Sequence, residues 1–351
     1  MRRTLLAVFL GGVVLAAGCS AASTTPPAAE HAGAEGAGRA AFVLVAADDN
    51  GAVVYEAGGI LRGVDRSGKQ VWSDRRALQV GADADCLARC PDAVFSGVDT
   101  TTETGPEPWQ VVSGVPAPFG GPSQRVLTAA SVSDAVLATR SFLRILRPGG
   151  VEERIPVDGR GLAWAESPDR TVAVAYSLIS TQPLLRFRRH ADGWHSMAAG
   201  PPVGPAVDGC VAPGGRPTVV TGENPVLLGN GDRRLPLRTD LRSVGECAFG
   251  TAGGIVLERS LGPEGRRQTA IRGVDLGGNQ TWTRNVSAEA LVAGAPSGQL
   301  FAVAQRNTLE LVDGTGATTA TTVDVASARF TASGTLVTVS TNGNVTWYPK
   351  N

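Results

Sequence analysis

Three acidic residues stand beside cysteines in similar settings: Asp85 in DADC, Asp208 in DGC and Glu246 in GEC. Carboxylates brought to one mouth could bind a cation or the hydroxyls of a sugar. A pair at suitable separation could also cleave a glycosidic bond, one acting as acid and the other as base or nucleophile. The three lie far apart in the chain, so the fold must bring them together. Other chemistry is sparsely provided. Of the 3 histidines, His31 falls in a polar N-terminal stretch and His190 and His195 flank one turn, and none has a partner motif. GxSxG, HExxH, GxxxxGK and a strand-to-helix GxGxxG are all missing, so the residues point to a non-enzymatic protein with no cofactor and no metal. DDNG at Asp48 does not have the ligand spacing of a calcium loop and reads as a hairpin turn.

The elements that would position these acids are visible as repeats. GVDRSGKQVW, starting at Gly63, returns as GVDLGGNQTW starting at Gly273. The copies are 210 residues apart, or five units of about 42, the period of a four-stranded propeller blade. A shorter motif, a polar turn followed by alternating apolar residues, recurs eight times. Its markers are Asp49, Asp92, Ser133, Asp169, Gly214, Gly253, Ser297 and Ser333, spaced 36 to 45 residues apart. The unit from Ala290 reads as LVAGA, QLFAVAQ, TLELVD and ATTATTV, four short strands separated by PSG, RN and GTG. Beyond the N-terminal segment, Gly and Pro interrupt every stretch long enough for a helix.

The expected class is therefore all-β: a β-propeller of four-stranded antiparallel blades over 41–351, with eight blades favoured and seven the alternative. Trp72, Trp282 and Trp347 recur at blade corners and read as packing. The last unit ends after its third strand, NVTWYPK. AFVLVAA at Ala41 could complete that blade or equally begin its own.

DRSGKQVW, a D-x-x-G turn leading to Trp, resembles the repeat of the PQQ-like propeller superfamily. ESPDRTVAVAY resembles the SPDG turn of WD40 and YVTN propellers. These resemblances cover nearly all of 41–351 and imply the fold, not the function, because the scaffold hosts enzymes, receptors and assembly factors alike. The sialidase Asp-box spacing does not match, and there is no adjacent Cys-Cys pair of the quinoprotein kind. Quinone and calcium binding are accordingly not carried over.

At the N-terminus, Arg2 and Arg3 precede an apolar run from Leu5 to Ala17, the pattern of a secretory signal. Its end, LAAGC, resembles a bacterial lipobox. The reading is a signal peptide over 1–18, lipidation of Cys19, and a tether over 19–40 rich in Ala, Gly, Thr and Pro. A flexible chain of that length reaches about 25 Å. No second apolar stretch of spanning length follows, so the lipid is the expected anchor.

The remaining four cysteines, Cys86, Cys90, Cys210 and Cys247, suit an oxidising compartment and allow three pairings. Cys210 with Cys247 is favoured because each lies in the first strand of neighbouring repeats, which leaves Cys86 with Cys90 to close a small loop. Zinc is the weaker reading, since C-x3-C plus two distant cysteines matches no usual spacing.

Acidic and basic residues balance at 32 each, which argues against nucleic acid as partner. Only two of the basic residues are Lys, and with abundant Ala and Gly this suggests a GC-rich bacterial genome such as an actinobacterium's. Taken together, the features lead to a lipid-anchored extracytoplasmic propeller that recognises an envelope protein or ligand without catalysis. Its layout is similar to that of lipoprotein propellers assisting envelope protein assembly. The alternatives are a glycan-acting hydrolase or lyase and a small-molecule receptor, both using an acidic channel mouth at Asp85, Asp208 and Glu246.

Overall fold

Gly63 and Trp72, the ends of the repeated decapeptide, are cross-strand partners, as are Gly273 and Trp282. Each indole lies across its glycine: a Cβ on Gly63 would meet Trp72 Nε1 at 2.0 Å, and one on Gly273 would meet Trp282 Nε1 at 2.2 Å. Trp72 then donates from Nε1 to the Pro91 carbonyl (2.7 Å), and Trp282 to that of Gly314 (2.9 Å), each in the next repeat. The tryptophans are inter-repeat ties. Between each Gly and its Trp, the aspartate closes the turn. Asp65 Oδ1 accepts from the N–H groups of Ser67 and Lys69, and Asp275 Oδ1 accepts from Asn279. Gly68 and Gly278 supply the left-handed backbone, φ +84° and +81°, that such a turn needs.

The computed structural model describes residues 41–76, 84–98, 105–215, 218–222, 226–228, 233–234, 241–261 and 267–349. Eight successive antiparallel sheets occupy 42–74, 84–118, 125–156, 162–196, 206–234, 241–286, 291–323 and 325–348, in agreement with eight blades. The first seven have four strands each. Within every sheet the strands follow chain order, and a two-stranded ribbon, Gln182–Pro183 with Val203–Pro202, branches from the fourth. The described residues include no α-helix, only a 3-10 turn at Pro213–Gly215.

The first strands of consecutive sheets touch, and Val325–Phe330 of the eighth returns to Phe42–Ala47 of the first, so the ring closes around a channel. The burial gradient follows from this geometry. Second strands, such as Ala93–Gly97 and Asp134–Ala138, are buried along their whole length, whereas the outermost Thr318–Val323 is exposed throughout. Each sheet-to-sheet interface traps its own apolar cluster, as with Trp164, Phe187 and Trp194 between sheets three and four. Polar ties join the turns around the rim. Asp48 Oδ2 accepts from Cys90 N–H, Asp169 Oδ2 from Gly214 N–H, and the Ser297 carbonyl from Thr251 Oγ1. Asp48 Oδ1 also accepts from Asn50 and Gly51, so DDNG is a hairpin turn.

Of the two closures open to AFVLVAA, the structure takes the second. Phe42–Ala47 is the first strand of its own sheet, paired with Gly51–Glu56, and the eighth sheet has three described strands. The seam is held by packing and side-chain bonds. Val337, Val339 and Val345 pack on Leu44, Ala52, Val54 and Val64. Ser327 Oγ accepts from Leu44 N–H, Asp49 accepts from the hydroxyls of Thr331 and Ser333, and Trp347 Nε1 donates to the Asp48 carbonyl.

Both favoured disulfides are present. Cys210–Cys247 staples the first strands of sheets five and six with a Cα–Cα distance of 5.9 Å, and Cys86–Cys90 closes a short loop. Cys19, the signal peptide over 1–18 and the tether over 19–40 lie outside the described residues.

Candidate functional site

Because the first strands line the channel, acids placed on them come together from distant parts of the chain. Asp85 lies on Ala84–Cys86, Glu166 ends Leu162–Glu166, Asp208 lies on Ala206–Val211 and Glu246 on Leu241–Phe249. They do not form a purely acidic ring, because two guanidinium groups are interleaved with them. Arg170 bonds Asp85 Oδ2 through Nη2 (2.7 Å) and Glu166 Oε2 through Nε (2.7 Å). Thr128, from Arg125–Ser131, donates its hydroxyl toward both Glu166 and Asp85 Oδ2. Trp164 Nε1 gives Glu166 Oε1 a further hydrogen bond at 2.8 Å.

Arg170 occupies the position that Gly holds in an SPDG turn, and its backbone keeps the left-handed conformation of a glycine, φ +53°. That conformation costs an L-residue roughly 1–2 kcal/mol. The turn places Arg170 at the rim, 40% exposed and leaning back onto carboxylates that are 27% and 14% exposed. All three groups therefore reach channel water while walled by protein. Burial raises the Asp85 pKa, opposed by Arg170 and reinforced by Glu166. Burial also works against the Glu166 carboxylate, but Arg170, Thr128 and Trp164 outweigh it and hold its pKa below the ordinary value. Arg170 itself is held firmly cationic, chiefly by Asp85.

Across the channel Asp208 is held differently. Its Oδ1 accepts from Gly209 N–H (2.8 Å) and from the Tyr176 hydroxyl (3.4 Å), and its Oδ2 from Cys247 N–H (3.0 Å). Among the described residues no guanidinium bonds it. Burial pushes its pKa up to about 6, with the two backbone N–H groups, Tyr176 and the more distant Arg329 only partly offsetting this. Burial next to Asp208 in turn raises the Tyr176 pKa well above that of a free phenol. Glu246 turns toward the seventh sheet, where Oε2 accepts from Val292 N–H at 3.4 Å. Arg329, on Val325–Phe330, faces the lumen within electrostatic reach of Asp85, Asp208 and Arg170, yet makes no hydrogen bond or ion pair with any described residue.

Asp208 Oδ and the sulfurs of Cys210 and Cys247 lie within 4.8 Å of one another. Both sulfurs belong to the disulfide, so neither offers a thiolate, and the group is unsuited to a metal. His190 and His195 sit on the third and fourth strands of sheet four, away from the channel, with rings 4.7 Å apart and His195 Nε2 bonded to Asp192 at 2.9 Å.

Sequence reasoning named Asp85, Asp208 and Glu246 but missed Thr128, Glu166, Arg170, Tyr176 and Arg329. Only Arg170 carried a signal, an Arg standing where an SPDG turn has Gly.

No family model matches the chain, and no curated protein matches it either. Among solved structures it is similar to BamB from Moraxella catarrhalis, with a TM-score of 0.52 and 13% identity over 88% of this chain and 94% of that one. That likeness concerns the fold. The chain is a β-propeller.

Proposed function

We propose that this protein is a non-enzymatic interaction scaffold of the bacterial envelope, anchored by a lipid on Cys19, whose rim turns contact a partner protein. The observation that carries the reading is the state of the channel carboxylates. Asp85 and Glu166 are bound to the same guanidinium and the same hydroxyl, which ties the two carboxyls to each other rather than setting them on opposite faces of a bound sugar as glycan cleavage requires. No histidine adjoins them among the described residues. With chemistry disfavoured, the rigid ring and its turns remain as the surface for recognition. The signal-like N-terminus and lipobox support the address, and the fold likeness to BamB supports a place among envelope propellers.

In-cell crosslinking of the lipidated protein, then purification from membranes and mass spectrometry, tests this. The expected outcome is a stoichiometric envelope protein crosslinked through rim turns. Reproducible recovery of the protein alone would overturn the scaffold reading.

A further inference from the structure

The outermost strand of a sheet presents N–H and C=O groups that only another extended backbone complements, and charges, prolines or short length keep such an edge from pairing with further chains. Six of the seven fourth strands carry a guard of this kind. Val115–Pro118 has two prolines, Val151–Pro156 has three charges and a proline, Gly193–Ser196 is only four residues long, and Arg233–Arg234 is two arginines. Gln70–Asp74 and Gln280–Val286 carry Asp74 and Arg284. Thr318–Val323 of sheet seven, TTATTV, has six residues, no charge and no proline.

That strand pairs on one side with Thr308–Asp313 and meets no strand on the other among the described residues. All its residues are exposed, and Val323, at 68%, is the most exposed large apolar side chain among the described residues. The register shifts between Leu311 and Val312, so the bulge lies at the start of the strand and Ala320–Val323 runs in unbroken register. A foreign strand would be selected by side-chain pockets beside the edge. The groove between sheets six and seven, about 420 Å³, is lined by Asn285, Ser287, Gln305 and Glu310 among others, but by none of 318–323. A second copy of the chain needs no pocket. Its identical, uncharged edge meets no like-charge opposition, and threonine faces threonine at the centre of the pairing, a favourable cross-strand contact.

We propose that the outer edge of sheet seven is a self-association surface, on which a second copy of this chain lays its own Ala320–Val323 antiparallel about a two-fold axis. Two four-stranded sheets then join into one of eight strands. The two-fold makes the contact isologous, so association closes at the dimer. One strand pair buries little surface, and the dimer is therefore weak and exchanges with monomer. Because the edge lies on the outside of the ring, both channels and their rims stay open, and the dimer presents two copies of each. The inference does not depend on the scaffold reading and can be tested on the purified chain alone.

The test is sedimentation velocity on the chain carrying Cys19→Ser, so that no lipid drives association, at concentrations from micromolar to millimolar. The expected result is a concentration-dependent equilibrium between monomer and dimer with no larger species. Thr321→Lys together with Thr322→Lys sets like charges on both faces of the pairing and should weaken the dimer at least about tenfold, as should Thr321→Glu together with Thr322→Glu. Mixing the two variants should restore association, which misfolded chains would not do. Thr346→Lys, on the third strand of sheet eight, should leave the dimer unchanged. Monomer at every concentration, or growth beyond a dimer, would overturn the proposal. It would equally fall to a dimer that survives both charge variants, to a mixture that does not associate, or to a dimer lost through Thr346→Lys alone.

Discussion

The two sides of the channel meet the same requirement, a carboxylate on a first strand, in opposite ways. On the side of sheets two to four, Asp85 and Glu166 are held by an arginine that the backbone presents at φ +53°. On the side of sheets five and six, Asp208 is held by backbone N–H groups and a buried tyrosine, on strands that a disulfide staples together. On the first side burial raises the Asp85 pKa against the pull of Arg170, whereas Arg170 and its neighbours hold Glu166 below its ordinary value. The second has dipoles and a covalent staple, and its acid is pushed up to about 6. A carboxylate's place on a strand therefore does not determine its charge, which depends on what faces it across the lumen.

The strongest way to break this contrast is to remove the staple. Replacing Cys210 and Cys247 together with Ser opens a loop with a sequence separation of 37. The loss should be about 3–4 kcal/mol, read as a lowered Tm and denaturant midpoint, while the Arg170 side keeps its geometry. An unchanged midpoint would mean that the staple is redundant.

Next in size is the titration of Asp208. Its folded pKa lies above the ordinary carboxylate value of 3.8, so the folded state binds a proton more tightly than the unfolded state. The penalty is fully present above about pH 6 and is relieved as pH falls from there toward 4. Stability should rise across that window by about 1–3 kcal/mol, with carboxyl NMR giving a midpoint near 6, and Asp208→Asn should remove this component. A flat Tm-versus-pH profile shared with Asp208→Asn would contradict it.

Arg170→Gly restores an SPDG turn and relieves the left-handed strain, but leaves Asp85 and Glu166 facing each other without a counter-ion. Because Arg170 is 40% exposed, solvent screening limits the net loss to about 1 kcal/mol at neutral pH. Both carboxyl pKa values should rise, and the loss should shrink under mildly acidic conditions as they protonate. A pH-independent effect would reduce Arg170 to a packing group. The smallest expected change is Thr128→Val, which removes one buried hydroxyl donor to the pair for about 0.5–1 kcal/mol by thermal melting.

How far these features can be read from the chain depends on how local they are. The D-x-x-G turn is legible because one aspartate closes it on its own neighbours, Ser67 and Lys69, and because Gly68 must take φ +84°. The role of Trp72 as a packing residue is legible through its recurrence in Trp282. The cysteine pairing is legible once the repeat places Cys210 and Cys247 on adjacent first strands. The closure of the ring is not, since AFVLVAA suits either sheet at the seam. What settles it is its pairing with Gly51–Glu56.

The sequence by itself determined the period, the turns, the strand alternation and hence the ring of sheets, because each arises within about 42 residues of its own chain. Only the tertiary structure decided the character of the channel. Arg170 reaches Asp85 across 85 positions, and Arg329 comes from the last sheet to face acids on the second and fifth. Closing a ring brings together one short strand from every repeat, and the electrostatic state of each acid is set by charges that no local pattern records.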